Sequence, residues 1–275
     1  MKRKIHYLLM DIIGCAVAVI IFIVPFYFMF INSIKPAKEA NLLRIDWPGE
    51  IHFENYITVL KNNHYQLLVA FKNSGIITLF TVTGLLIVGS MAGYVIQRRT
   101  DRRIRTIGHI FMLGLMLPAS ILPTIQLLQL MHIYKTLFGL VMIEIALQLP
   151  FTIMLFRGYM SSIPVELEDA AEIDGCSSGR LFTSIIFPLL KPIRATVIIL
   201  TAVTTFNDFT NPLYFLPGAA NATVQLTLYN YKGQYKSSYN LLFADIFLIT
   251  VPMFILFLFF NKKIVAGMVS GSVKG

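Results

Sequence analysis

Residues 164–192 read PVELEDAAEIDGCSSGRLFTSIIFPLLKP, a polar, charged island in a strongly apolar chain. Glu166, Glu168, Asp169, Glu172 and Asp174 put five of the fourteen acidic residues within nine positions, and long hydrophobic runs lie on either side. Carboxylates at that density cannot sit in hydrocarbon, so the island must lie in water or against another protein. Its spacing predicts helix, turn, helix. Pro164 suits a first helical turn. Val165 to Ile173 are good helix formers, and Gly175 can close that helix by taking a positive φ. Ser177 is a fair N-cap for a second helix running to about Phe187, ahead of Pro188 and Pro192. In it Leu181, Phe182, Ile185 and Ile186 recur at three- and four-residue spacing and form one apolar face.

The flanks set the class. Of 275 residues only 13% are charged, the mean hydropathy is +0.70, and a soluble domain averages nearer a quarter charged. This composition reads as an all-α, polytopic membrane protein. Six runs, at about 12–34, 74–96, 107–130, 137–156, 193–216 and 241–260, are long enough to cross a bilayer, which takes about 20 apolar residues. The N-terminal Met1-Lys2-Arg3-Lys4 resembles a signal n-region, but the run after it is too long for a cleaved segment, so it is read as a retained first span. A net charge of +9 would point to nucleic acid in a soluble protein. Here the positive-inside rule accounts for it. With both termini in the cytoplasm, fifteen of the 23 lysines and arginines lie inside, five of them in the short loop QRRTDRRIR. The same orientation puts loop 161–192 in the cytoplasm. Cys15 and Cys176 fall in a span and in that loop, where no disulfide is expected.

Asp169-Ala170-Ala171, three residues, Gly175, nine residues, then Ile185-Ile186-Phe187-Pro188 resembles the EAA loop of ABC importer permeases. Asp169 stands where Glu is usual and Phe187 where Leu is frequent; Asp169 keeps the charge with one methylene less reach. The resemblance extends to Phe53-Glu54-Asn55-Tyr56, like the external Phe-x-Asn-Tyr helix of carbohydrate-importer permeases. It extends also to Phe206-Asn207-Asp208-Phe209, like a Trp-Asn-Asp/Glu-Phe segment in their fifth span. The glycine-rich tail to Gly275 is like the terminus of maltose-type permeases. Together these imply a type I ABC importer permease fold over 1–275 as a single transmembrane domain. Glu166, Asp169, Ala170, Ala171, Asp174, Gly175, Arg180, Phe182, Ile185 and Pro188 then form the coupling surface for a separate ATPase. The resemblance gives Gly267, Ser270 and Lys274 a second ATPase contact.

Several residues inside the runs carry expectations of their own. Gly89 and Gly93 make a small-xxx-small face for close helix packing. Pro118 and Pro123 should bend the third span. The external segment should form a short helix with Phe53, Tyr56, Ile57 and Leu60 on one face. Glu144, Asp208 and Asp245 are intramembrane acids that must face protein or a cavity. Glu144 and Asp245 read as structural pairs. In a continuous fifth helix Asn207, Asp208 and Asn211 share a face, and Pro212 frees the Asp208 carbonyl. Asn207, Asp208, Asn211 and Tyr214 are the candidate substrate path, amides and a carboxylate beside aromatic rings that suit the hydroxyls of a neutral sugar, the alternative being that they only satisfy kinked backbone near Pro212.

The implied function is a sugar or oligosaccharide permease subunit in the bacterial cytoplasmic membrane. It works beside a second, homologous permease chain, two ATPase subunits and an extracytoplasmic sugar-binding protein, and takes no nucleic acid. The chain has no phosphate-cradling glycine loop with Lys-Ser/Thr, so ATP-Mg belongs to the partner ATPase. It binds no cofactor or metal of its own, its five histidines lacking ligand spacing, and it catalyses no reaction. A self-powered secondary carrier would use ion-paired carboxylates and internal repeats; three isolated acids and no visible repeat argue against it. A permease for peptides, amino acids or polyamines keeps the class and changes only the cargo.

Overall fold

Helices, with short turns and one isolated β-bridge between Lys232 and Ser237, account for the structure. It is a computed structural model that describes residues 2–117, 119–232 and 237–272. Among the described residues three helices are long and apolar enough to cross a membrane: α1 (Lys2–Ser33, apolar from Met10), α3 (Glu54–Arg98) and α6 (Leu137–Met160). A fourth candidate is a bent pair, Ser178–Leu189 and Lys191–Asn207, meeting at 76°. Ile121–Leu130 and Tyr239–Ile255 are shorter apolar helices. The chain divides into two compact units, Met1–Leu68 with Val224–Pro252, and Val69–Thr223 with Met253–Gly275.

In the first unit α1 is followed by the short α2 (Ala37–Ala40) and the opening turns of α3. The last carbonyls of a helix have no partner within it. Here Asn55 supplies one, its Nδ2 donating to the Ser33 and Lys35 carbonyls at 2.8 and 3.0 Å. Asn55 Oδ1 accepts from Asn240 Nδ2 at 2.8 Å, and the Tyr56 and Ser33 hydroxyls meet at 2.6 Å. The Asn-Tyr pair of the external motif thus caps the first helix. Phe53 and Ile57 remain exposed on the other side. The expected short helix ends where Asn62 turns extended (ψ 142°) and Asn63, His64 and Tyr65 take φ of 44°, 55° and 62°. Non-glycine residues rarely adopt that region. Asn62 is held there by the Tyr231 hydroxyl at 3.0 Å. Burial pushes the Tyr231 phenol up from its ordinary pKa. Asp245, on α13 (Tyr239–Ser272), is fully buried and accepts from Thr227 Oγ1 of α12 (Val224–Thr227) at 2.8 Å, the structural pairing expected of it.

The second unit is built on α3 against α6. A Cβ on Gly84, Gly89 or Gly93 would lie 2.5, 2.5 and 2.8 Å from Ile145, Thr152 and Phe156, respectively, so the glycine face is a close helix contact as expected. The third expected span, 107–130, is instead two helices, α4 (Arg102–Leu113) and α5 (Ile121–Leu130). Pro123 sits in the first turn of α5, where its missing N–H costs nothing, so it follows a break rather than bending a continuous helix. Pro118 lies outside the described residues. The tail differs as well. A glycine-rich tail has no helical drive of its own, a glycine costing about 1 kcal/mol in a helix, yet α13 continues through Gly267 and Ser270 to Ser272. Lys274 lies outside the described residues.

Candidate coupling surface and transport path

Helix α7 (Glu166–Ile173) begins with three carboxylates in its first turn, where the positive end of the helix dipole favours them. It closes at Gly175, φ +75°. Gly175 N–H donates to the Glu172 carbonyl at 3.0 Å and Cys176 N–H to that of Ala171 at 2.9 Å, the paired bonds of a Schellman cap. The next helix, α8 (Ser178–Leu181), is only one turn. Ser177 occupies its N-cap position without a side-chain bond. The chain then widens into a π-turn over Phe182–Ile186 before α9 (Phe187–Leu189) and α10 (Lys191–Asn207). Pro188 offers no N–H to the Ser184 carbonyl and its ring crowds that carbonyl, so the α-register expected up to Phe187 gives way just ahead of it.

The apolar face of this loop turns inward. Leu181 and Ile186 are buried with Ala171 in a core formed by Phe156, Met160, Ile163, Leu190, Ile193 and Val197, and Phe182 and Ile185 pack against it. These side chains are thus taken up by the chain's own base. The surface left open carries Glu166, Asp169, Ala170, Asp174, Gly175, Arg180 and Pro188, with Ile173 at 87% exposure. Glu168 is the exception among the acids. It is buried; Arg98 Nε donates to its Oε1 at 2.6 Å and the Tyr94 hydroxyl to its Oε2 at 2.9 Å. Arg98 Nη2 also donates to the Ile163 carbonyl at 2.9 Å. The loop is thereby fastened to the end of α3.

The fifth expected span is not one helix. Helix α10 ends at Asn207, Asp208 is extended (ψ 128°), and α11 (Thr210–Phe215) starts afresh. Asp208 Oδ1 accepts the Thr210 and Asn211 amides at 2.9 and 3.4 Å. Asn207, Asp208 and Asn211 therefore do not line one helical face, and the break comes from Asp208 capping the next helix rather than from Pro212. Asn207 Nδ2 donates back to the Val203 carbonyl at 2.9 Å, and Tyr214 is exposed. Asn211 points elsewhere: its Nδ2 donates to Glu144 Oε1 at 2.9 Å. Glu144, 3% exposed on α6, takes its second bond from Gln148 Nε2 at 2.9 Å, and that nitrogen also reaches Thr205 Oγ1 at 3.0 Å. Asp208 lies beside the same carboxyl. Two cavities flank the group. One, of about 340 Å³, has Asn211, Thr124 and Phe215 in its wall. The other, of about 270 Å³, is walled by Gln148, Thr201 and Thr204. Among the described residues no group of three or more His, Cys, Asp and Glu could hold a metal ion.

Residues 85–269 match the family described as binding-protein-dependent transport system inner membrane component. The chain belongs to this family. A putative ABC transporter permease protein of Caldicellulosiruptor sp. (strain Rt8B.4) is 33% identical over 257 residues, covering 92% of each chain. The melibiose/raffinose/stachyose import permease protein MelC of Bacillus subtilis (strain 168) is 31% identical over 277 residues, 100% of this chain and 98% of that one. A chain of a bacterial ABC transporter involved in import of the acidic polysaccharide alginate superposes with a TM-score of 0.81 at 20% identity, over 95% of this chain and 98% of that chain. At that identity the likeness is one of fold.

Two groups in the permease were not expected from its sequence. Arg98 was read as one more inside-facing cation, and its partner Glu168 lies 70 residues away, beyond any local pattern. Glu144 was expected to pair, but not with the amide of a candidate path residue. The signal that existed was Asp208 itself, a short acidic side chain two positions before Thr210 that can accept the first amides of a new helix.

Proposed function

We propose that this permease is a carbohydrate-importing subunit, coupled through loop 161–192 to separate ATPase chains and fed by an extracytoplasmic sugar-binding protein. The observation that carries the cargo is end-to-end similarity to an import permease for melibiose, raffinose and stachyose. Neutral amides and hydroxyls beside two cavities agree with a polyol that hydrogen-bonds without net charge. The coupling role is supported by a loop tied to α3 through Arg98 and Glu168, whose exposed residues include Asp169, Ala170, Asp174 and Gly175. With Leu181 and Ile186 buried and Phe182 and Ile185 half-buried against the same core, Ile173 is the most exposed of the large apolar side chains that the loop offers to the ATPase, ahead of Val165 and Leu167. A second, homologous permease chain completes the path. Both termini and the loop lie in the cytoplasm of a bacterial inner membrane, and the six apolar runs span it, two of them as broken helices. ATP-Mg binds the ATPase, whose closure draws the coupling loops together and switches the path from inward- to outward-facing.

The test is uptake of radiolabelled melibiose, raffinose and maltotriose by the complete transporter in proteoliposomes with ATP enclosed. ATP-dependent uptake of at least one is expected; uptake of peptides, amino acids or polyamines instead would overturn the cargo. Ile173→Asp should abolish uptake with membrane abundance unchanged. Orientation is tested in a background lacking Cys15 and Cys176. Single cysteines at Arg102 or Ser178 should resist an impermeant thiol reagent added outside, and those at Asn63 or Ser237 should react. Labelling at Ser178 from outside would remove the coupling assignment.

A further inference from the structure

Glu144 occupies a place that neither its spacing nor its burial explains alone. The α10–α11 span is interrupted at Asp208, so its two halves share no continuous backbone ladder there. One oxygen of Glu144 holds Asn211, beyond the break, at 2.9 Å. The other holds Gln148 at 2.9 Å, and Gln148 reaches Thr205, before the break, at 3.0 Å. Two linked side chains of α6, Glu144 and the Gln148 that it holds, thus grip the two sides of the interruption. The grip also fixes which way each amide faces. Both turn their nitrogen to Glu144, and the Gln148 nitrogen commits its second N–H to Thr205. The acceptor capacity left over is on the two amide oxygens, Asn211 Oδ1 and Gln148 Oε1. These two residues belong to the walls of two different cavities.

We infer that Glu144 is a positioning residue of the transport path: it seats Asn211 and, through Gln148, Thr205, so that the two half-helices move with α6 and present amide oxygens to a hydroxyl-bearing solute. Glu144 itself does not touch the solute. The inference rests on the carbohydrate reading only for the identity of that solute; the grip on the break stands apart from it.

Two measurements on the complete transporter in proteoliposomes separate the parts. Amide hydrogen exchange over 208–215 reports the grip. Glu144→Leu and Glu144→Gln should each speed it about tenfold. The exchanged pair E144Q/N211D, in which the new amide donates to the new carboxylate, should bring it back toward the native rate. Uptake of radiolabelled raffinose, melibiose and maltotriose reports positioning. For whichever is carried, E144Q should raise KM about tenfold, the equivalent of one lost hydrogen bond to a committed donor. The maximal rate per transporter should change less, and E144Q/N211D should recover much of the loss. Unchanged exchange in both single variants would overturn the inference. So would an exchanged pair no better than E144Q, or a fall in maximal rate at constant KM. If the unmodified transporter takes up none of the three sugars, the carbohydrate reading fails, and the exchange data alone decide on Glu144.

Discussion

Glu168 and Glu144 are both buried carboxylates, and they are stabilised in opposite ways. Glu168 faces a cation. Arg98 meets it at 2.6 Å and caps the Ile163 carbonyl as well, so the loop is locked by a charge pair that tolerates no missing partner. Glu144 has no cation beside it: it accepts from the amides of Asn211 and Gln148 and has the Asp208 carboxyl as a neighbour. One arrangement fastens loop 161–192 to the end of α3. The other ties both halves of a broken span to α6.

Removing Arg98 should give the largest effect. Arg98→Leu strands a buried carboxylate, which costs about 3–5 kcal/mol, and should sharply lower the amount of folded transporter recovered from membranes. R98L combined with Glu168→Leu should recover most of that loss, since a matched apolar pair is often no worse than a buried ion pair. If the double variant is as unstable as R98L, the pair is not what holds the loop. At Glu144 the contrast predicts a smaller change. Glu144→Gln should lower thermal stability by about 1–3 kcal/mol, the cost of leaving one buried donor unpaired, in a melting experiment on the same preparation. A cost equal to that of R98L would erase the distinction.

Helix α3 carries Arg98 and packs on α6, which carries Glu144, so their contact bears on both sites. Gly93→Ala places a methyl 2.8 Å from Phe156 Cβ and 3.3 Å from the Arg157 amide. Backbone cannot yield as a side-chain tip can, and overpacking of about 1–3 kcal/mol is expected. Gly158→Ala, where a Cβ meets nothing within 4 Å, is the matched control and should raise stability by up to about 1 kcal/mol, the helical gain of alanine over glycine. The smallest effect is expected at Gly175→Ala. No atom lies within 4 Å of the added Cβ, so only the left-handed backbone strain of about 1 kcal/mol remains. Stability should fall by that amount, and ATP hydrolysis stimulated by the sugar-loaded binding protein should fall with it.

What the sequence made legible follows the range of each interaction. The α7 helix and its glycine cap depend on neighbours within a few positions, and both are readable; the Gly89–Gly93 face is readable as a local spacing, although its partners Thr152 and Phe156 are not. The Phe-x-Asn-Tyr motif was recognisable, but its work was not, because Asn55 acts on carbonyls twenty and more residues upstream. The inward turn of Leu181 and Ile186 was missed because an amphipathic face does not say what it packs against, and here the chain supplies its own core. The break at Asp208 lay hidden behind hydropathy. A run of 24 mostly apolar residues reads as one span, although Asp208 and Pro212 together spell an N-cap and a first helical turn.

The cap on the first helix has a consequence for how the protein is made. Asn55 satisfies the end of α1, and Asn55 is in turn held by Asn240, 185 residues later. At about 5–20 residues per second, roughly ten to forty seconds of synthesis separate the two. Throughout that interval the earliest helix stands in the nascent chain with its cap unsecured, and it becomes fixed only as the last helix emerges. A substitution at Asn240 should therefore register first as prolonged residence with membrane-insertion chaperones, before any defect in the finished transporter.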